Sequence, residues 1–260
     1  MLRLTDAAFA LLPTPHPDPA TLAAARIISH RGERNNRDVF ENSYAAYDPL
    51  IGTGVWALEL DVRWSADREP MVFHDPDLRR LFGESTRIGS MRRAQIERDW
   101  PMIPPLDEFV ERYGRHFHLM VELKAEPYPD PVAQSARLAE ILDAGRTPHG
   151  RHLISLQPAL LDALPDFPAE QTLGVARFNV NAISDEALAS GRAGIGTHYA
   201  LLRGHHRQRH LDADQRVGVG FPASTRVMRR QLARGIPWIF TNHALKLQRA
   251  LDDLRAVPKG

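Results

Sequence analysis

The chain has no cysteine among its 260 residues, which removes disulfides, thiolate zinc sites, iron–sulfur clusters and cysteine nucleophiles together. Any metal it binds must be held by oxygen or imidazole. A long apolar run is also missing: the opening MLRLTDAAFALLP is broken by Asp6 and runs into a proline-rich stretch at 13–19, too short for a signal peptide core or a membrane span. The expectation is a cytoplasmic protein with no stable membrane insertion. Excess charge of one sign is absent too, with 33 basic residues against 32 acidic, so coating nucleic acid or an anionic membrane is not its main business. Anion recognition, if present, must be local.

The chain does have enough apolar residues, 43%, to build a large core, and it arranges them periodically. From Arg26 onward, strand-like runs at 27–31, 55–62, 118–124, 152–157, 173–178, 194–201, 217–221 and 238–241 alternate with helical stretches at 43–51, 106–113, 131–144, 158–164, 185–190, 205–214, 224–234 and 244–255. Gly145, Gly191 and Gly235 fall where helices should stop. Asp48-Pro49 should kink or shorten the first helix. Eight βα units in this length predict a single TIM (β/α)8 barrel over 26–260, with 1–25 as an extended lead-in. A doubly wound open sheet gives no reason for the number eight.

In such a barrel, chemistry sits at the C-terminal ends of the strands. His30 and Arg31 end the first strand, Glu59 and Asp61 the second, Glu122 and Lys124 the third. Each i, i+2 pair faces one way along a strand, so three carboxylates should converge in the barrel mouth. Without thiolates in the chain, they suit one hard divalent cation, Mg²⁺ or Ca²⁺. Arg31 and Lys124 could hold an anion beside it. His74, closing the apolar run 71–73, adds a group that can exchange protons near neutral pH. His198 lies on the sixth strand and is a candidate for substrate contact. The basic run 203–210 places His206 and His210 one helical turn apart, a spacing that can bind metal, but it reads better as a solvated helix start. The four tryptophans, Trp56, Trp64, Trp100 and Trp238, read as packing residues, and the arginines at 226, 229, 230 and 234 as the outer face of the seventh helix.

The motifs ISHRG at 28–32, Glu41-Asn42-Ser43, ELDV at 59–62, FHD at 73–75, IPPL at 103–106 and VELK at 121–124 resemble, in order and spacing, the glycerophosphodiester phosphodiesterase family. The likeness is strong over 27–124 and looser beyond. It implies Glu59, Asp61 and Glu122 as metal ligands, His30 and His74 as catalytic histidines, Arg31 and Lys124 around the phosphate, and Glu41 and Asn42 in support. It also implies a small-molecule glycerophosphodiester substrate, split into glycerol 3-phosphate and an alcohol; oligomeric state is left open. The alternatives are cleavage of lysophospholipids or other phosphodiesters, and a non-catalytic phosphodiester-binding barrel. Three departures stand out. The loop 32–41 is longer than usual, Phe40 replaces a common proline, and Gly220-Phe221-Pro222-Ala223 stands in place of an aromatic-Thr-Val-Asn run. In the family that aromatic lines the side of the pocket that receives the glycerol or the leaving group, so the last departure, with Gly220 in its place, bears on which substrate is taken.

Overall fold

The alternating apolar runs do become strands of one closed barrel. A computed structural model describes residues 15–144 and 150–256. Its strands are β1 (Arg26–His30), β2 (Ala57–Trp64), β3 (Pro70–Val72), β4 (His118–Leu123), β5 (Arg151–Ser155), β6 (Thr172–Ala176), β7 (Gly194–His198), β8 (Arg216–Gly220) and β9 (Trp238–Thr241). All but β3 are parallel, and β1 pairs with β2 on one side and β9 on the other, closing the ring. Each of the eight expected strands is present, within two or three residues of its expected ends. The short β3, which pairs antiparallel with β2, was not expected.

Strand β2 shows how one sequence serves two layers. All eight of its residues are buried. Leu58, Leu60 and Val62 belong to the large cluster between strands and helices, while Ala57 joins Ile28, Met120, Ile154, Leu173, Trp238 and Phe240 inside the barrel. The alternation that sends the leucines outward sends Glu59 and Asp61 inward. Below them the barrel floor is closed by rings: Trp56 stacks on His118 at 4.4 Å, and His118 Nε2 meets His152 Nδ1 at 2.8 Å. Trp238 lies beside both Trp56 and His152. The interior is thus filled from the N-terminal end, leaving space at the C-terminal mouth where the charged residues sit.

Helices follow the strands much as expected, and Leu106–Tyr113 and Pro131–Ala144 coincide with their predicted spans. Pro49 does shorten the first, which runs from Tyr44 to Tyr47 and tightens into a 3-10 turn over Asp48–Leu50. Gly191 and Gly235 adopt left-handed backbone after their helices, at φ 66° and 72°. Gly145 and the first fourteen residues of the lead-in lie outside the described residues. The rest of the lead-in is not simply extended, because Asp18 caps a short helix, Pro19–Ala24, by accepting from the Thr21 N–H at 2.8 Å.

The connection from β2 to β4 carries its own small core. Met71, Phe73, Leu78, Ile88, Met91, Ile96 and Ile103 form a cluster separate from the main one, supported by helices Arg79–Phe82 and Arg93–Asp99. This excursion holds His74 over the mouth.

Candidate active site

Strand ends and the excursion bring the expected residues together. A cavity of about 630 Å³ opens at the C-terminal end of the barrel, lined on one side by His30, Arg31, Glu59, His74, Glu122 and Lys124. Glu59, Asp61 and Glu122 each present a carboxylate oxygen, all within 4.8 Å of one another, and all three residues are buried. Only part of this charge is answered. Lys124 Nζ bridges Asp61 and Glu122, Arg31 Nε lies 2.9 Å from Asp61 Oδ2, and Asn42 Nδ2 donates to the same oxygen at 2.7 Å.

Glu59 is the exception. It is 1% exposed, yet neither carboxylate oxygen has a hydrogen-bond partner, and His30 Nε2 is 3.8 Å away. Burial, and the negative charges of Asp61 and Glu122, push its pKa well up. An orphaned buried carboxylate beside two others is costly unless a cation joins them. All-oxygen donors fit a hard divalent ion, so the residues present suit such a metal.

The two histidines are held in a matching way. His30 Nδ1 lies 2.6 Å from Asn242 Oδ1, an oxygen that also accepts from Arg34 Nη2 at 2.9 Å. That amide oxygen can only accept, so Nδ1 carries the proton and Nε2 faces the cavity with a lone pair. Burial, followed by the charges of Arg31 and Arg34, takes the His30 pKa down to about 3. His74 Nδ1 meets Asp75 Oδ1 at 2.6 Å, and Arg80 binds the other oxygen of Asp75. Burial lowers its pKa as well, although Asp61 opposes the shift.

Glu41 and Asn42 brace this arrangement. Glu41 accepts from Arg31, Arg80 and Asn36, and Arg34 approaches it at 3.4 Å, so one carboxylate pins the long loop 32–41. The Tyr47 hydroxyl lies 3.0 Å from Asn42 Oδ1 and 2.8 Å from the Glu59 carbonyl, holding Asn42 toward Asp61. The turn that aims His30 and Arg31 is tight: Arg31 and Gly32 both have left-handed backbone, at φ 59° and 79°. Gly32 is required there, because a Cβ would sit 2.6 Å from that of Ala46.

Elsewhere, expectation and structure part. His198 does line the cavity: its Nδ1 accepts from the Ala200 N–H at 3.2 Å, and its Nε2 is buried without a hydrogen bond. Gly220 does not strip the mouth of its aromatic, because the next residue supplies one. The Phe221 ring lies 4.6 Å from that of His30 and 6.5 Å from that of His198. His206 and His210 are neither solvated nor a metal pair, being buried with partners that point apart. His206 meets Asn181, and His210 spans Ser184 and Gln215. Asn242, Arg34, Asp75 and Arg80 were not singled out as site residues. The only sequence signals were the position of Asn242 just past the last strand and the Asp75 that follows His74.

Known proteins resemble this chain in sequence and in fold. Residues 30–141 match the model of the Glycerophosphoryl diester phosphodiesterase family. A Bacillus subtilis (strain 168) protein, YhdW, whose name assigns it provisionally to the glycerophosphodiester phosphodiesterases, is 29% identical over 112 residues, 39% of this chain. The match spans less than half, 45%, of that relative's length. A glycerophosphodiester phosphodiesterase from Agrobacterium tumefaciens has the same fold, with TM-score 0.70 at 22% identity, covering 86% of this chain and 99% of that one. An Oleispira antarctica phosphodiesterase, solved with the product sn-glycerol-3-phosphate, gives TM-score 0.72 at 20% identity, covering 87% and 96%. The resemblance to the glycerophosphodiester phosphodiesterase family thus holds in sequence over residues 30–141 and in fold around the whole barrel.

Proposed function

We propose that the chain hydrolyses glycerophosphodiesters to glycerol 3-phosphate and an alcohol, using one divalent cation, Mg²⁺ or Ca²⁺, held by Glu59, Asp61 and Glu122. The carrying observation is that two histidines, each anchored through Nδ1, face one cavity whose floor is a buried carboxylate trio with Glu59 unpartnered. The family match over 30–141 and the barrel neighbour solved with sn-glycerol-3-phosphate support the substrate class.

The reaction follows from the residues. A phosphodiester repels nucleophiles, and a bound cation would offset the charge that builds on its non-bridging oxygens. Arg31 and Lys124, on the same floor, add two cations that draw the phosphate toward the carboxylates and fix its orientation. His30 is the better base: burial and two guanidinium groups keep it neutral, with Nε2 free to take a proton from the substrate's own glycerol hydroxyl. Attack by that hydroxyl expels the alcohol and leaves a cyclic phosphate, which water then opens to glycerol 3-phosphate. His74 is the better acid. Its Nδ1 rests on the carboxylate of Asp75, which stabilises an imidazolium that can protonate the leaving alcohol, whereas His30 rests on a neutral amide. His198 offers an N–H on the far side of the mouth.

Turnover of glycerophosphocholine with Mg²⁺ or Ca²⁺ tests this. Activity should vanish with EDTA and fall strongly in His30→Ala and His74→Ala. No turnover of any diester, or turnover indifferent to EDTA and to both substitutions, overturns the proposal.

A further inference from the structure

The cavity has two unlike halves. Apart from Arg177 at the rim, the charged residues lie on the side built by β1, β2, the excursion and β4; the opposite side is formed mainly by Leu156, Leu173, Val175, Leu201 and Phe221, with Thr197 and His198 its polar members. Beyond them, at the rim, stands Phe178, also part of the cavity lining and 92% exposed. A single exposed phenyl ring means little by itself. This one extends an apolar wall outward from the reacting centre into solvent, and continuity of that kind marks a place where something apolar lies.

A polar headgroup is poorly served there. Among the described lining residues the only carboxylates are Glu59 and Glu122, both on the charged side, while Arg177 stands next to Phe178 at the rim. A choline or ethanolamine pointing that way would meet no anion and one cation. An alkyl chain would lose water against the side chains of β5 to β8 and the loops that follow them.

We infer that the preferred substrate is a phosphodiester bearing an apolar chain, with its phosphate at the charged side and the chain laid along the wall from Leu173 to Phe178. The inference rests on the phosphodiesterase reading and narrows it. The chain can belong to an acylated glycerol or to the leaving alcohol; the chemistry on the wall is the same.

The test is a chain-length series in two arms, one with glycerophosphocholine acylated on its glycerol and one with glycerophosphate esters of n-alkanols. All are kept below their micelle concentrations and compared with glycerophosphocholine itself. If the wall holds the chain, kcat/KM rises by roughly fourfold per methylene in at least one arm until the wall ends, since each buried methylene contributes about 0.8 kcal/mol. Phe178→Ser, at a position too exposed to matter for folding, and Leu201→Asn should each lower the long-chain to chain-free ratio of kcat/KM, by about tenfold for Phe178→Ser. Glycerophosphocholine turnover with a flat or falling series in both arms overturns the inference and leaves the phosphodiesterase reading standing. A rising series untouched by either substitution overturns the placement on this wall. No turnover of any diester overturns both readings.

Discussion

Replacing Glu59 by glutamine should raise the thermal stability of the metal-free protein and abolish the stabilisation that a divalent cation gives the native chain. Glu59 is buried, unpartnered and faces two other carboxylates. Leaving a buried polar group unsatisfied costs about 1–3 kcal/mol, more when it is charged. Glutamine keeps the shape, is neutral without taking up a proton and presents two N–H donors toward Asp61 and Glu122, so a gain of about 2 kcal/mol is reasonable. For a chain of this size that is a rise in Tm of about 4–8 °C. The sign with pH follows from the raised pKa of Glu59. Above its ordinary value of 4.5 the unfolded chain has lost a proton that the metal-free folded chain keeps, so native stability falls as pH rises and the advantage of E59Q grows. A cation at a hundred times its Kd should stabilise the native chain by about 2.7 kcal/mol, or about 5–10 °C, and E59Q little or not at all. Differential scanning fluorimetry in EDTA and in excess MgCl₂ or CaCl₂ reads both effects. An E59Q variant less stable than native in EDTA, or one that keeps the full cation-induced shift, would refute the assignment of Glu59 to a metal.

Three further outcomes follow from the surrounding contacts. Asn242→Ala removes the acceptor at His30 Nδ1, so kcat should drop by about ten- to a hundredfold with the fold intact by circular dichroism; an unchanged kcat denies Asn242 its orienting role. Gly32→Ala must combine left-handed backbone with a Cβ 2.6 Å from that of Ala46, so denaturant melts should show a loss of about 2–5 kcal/mol. Glu41 gives an acid signature. Burial alone would raise its pKa, but Arg80, Arg31 and Asn36 outweigh it and bring it down to about 2 from 4.5. A depressed acid contributes stability that is complete above about pH 4.5 and disappears as pH falls toward about 2, here about 3 kcal/mol in all. Glu41→Gln should flatten that part of the stability curve.

What the sequence made legible, and what it hid, divides by distance along the chain. Eight strands could be found because each is a short apolar run punctuated by glycine or proline, and the carboxylates could be aimed because their i, i+2 spacing depends only on the strand pleat. The excursion between β2 and β4 was harder. Its helices are four and seven residues long, and their apolar groups pack on one another rather than on the barrel, so no long periodicity announces them. Contacts made across the fold left no local trace. Asn242 is 212 residues from His30, and Arg80, which ties the Asp75 of His74 to Glu41, reads in sequence as one more surface arginine. His206 and His210 misled for the same reason: what decides their state is the facing helix Val180–Ala189 and Gln215, not their own spacing.

Phe221 shows why the far side of the mouth resisted reading most. A motif compared position by position finds glycine where an aromatic belongs, but a cavity is filled by whatever ring the backbone delivers to it. Here β8 ends at Gly220 and the chain's next ring reaches both His30 and His198. The charged side is fixed by strands in register, Asp61 against Glu122 and His30 against Glu59, and tolerates no such shift. The apolar side is built partly from strand ends and partly from the loops after them, which tolerate changes in length and sequence. On the proposed reading the chemistry therefore belongs to the strand ends and the excursion that carries His74, and the choice of substrate to the segments that follow β5 to β8. Exchanging residues 177–178 or 221–223 should alter which diester is cut before it alters whether one is cut at all.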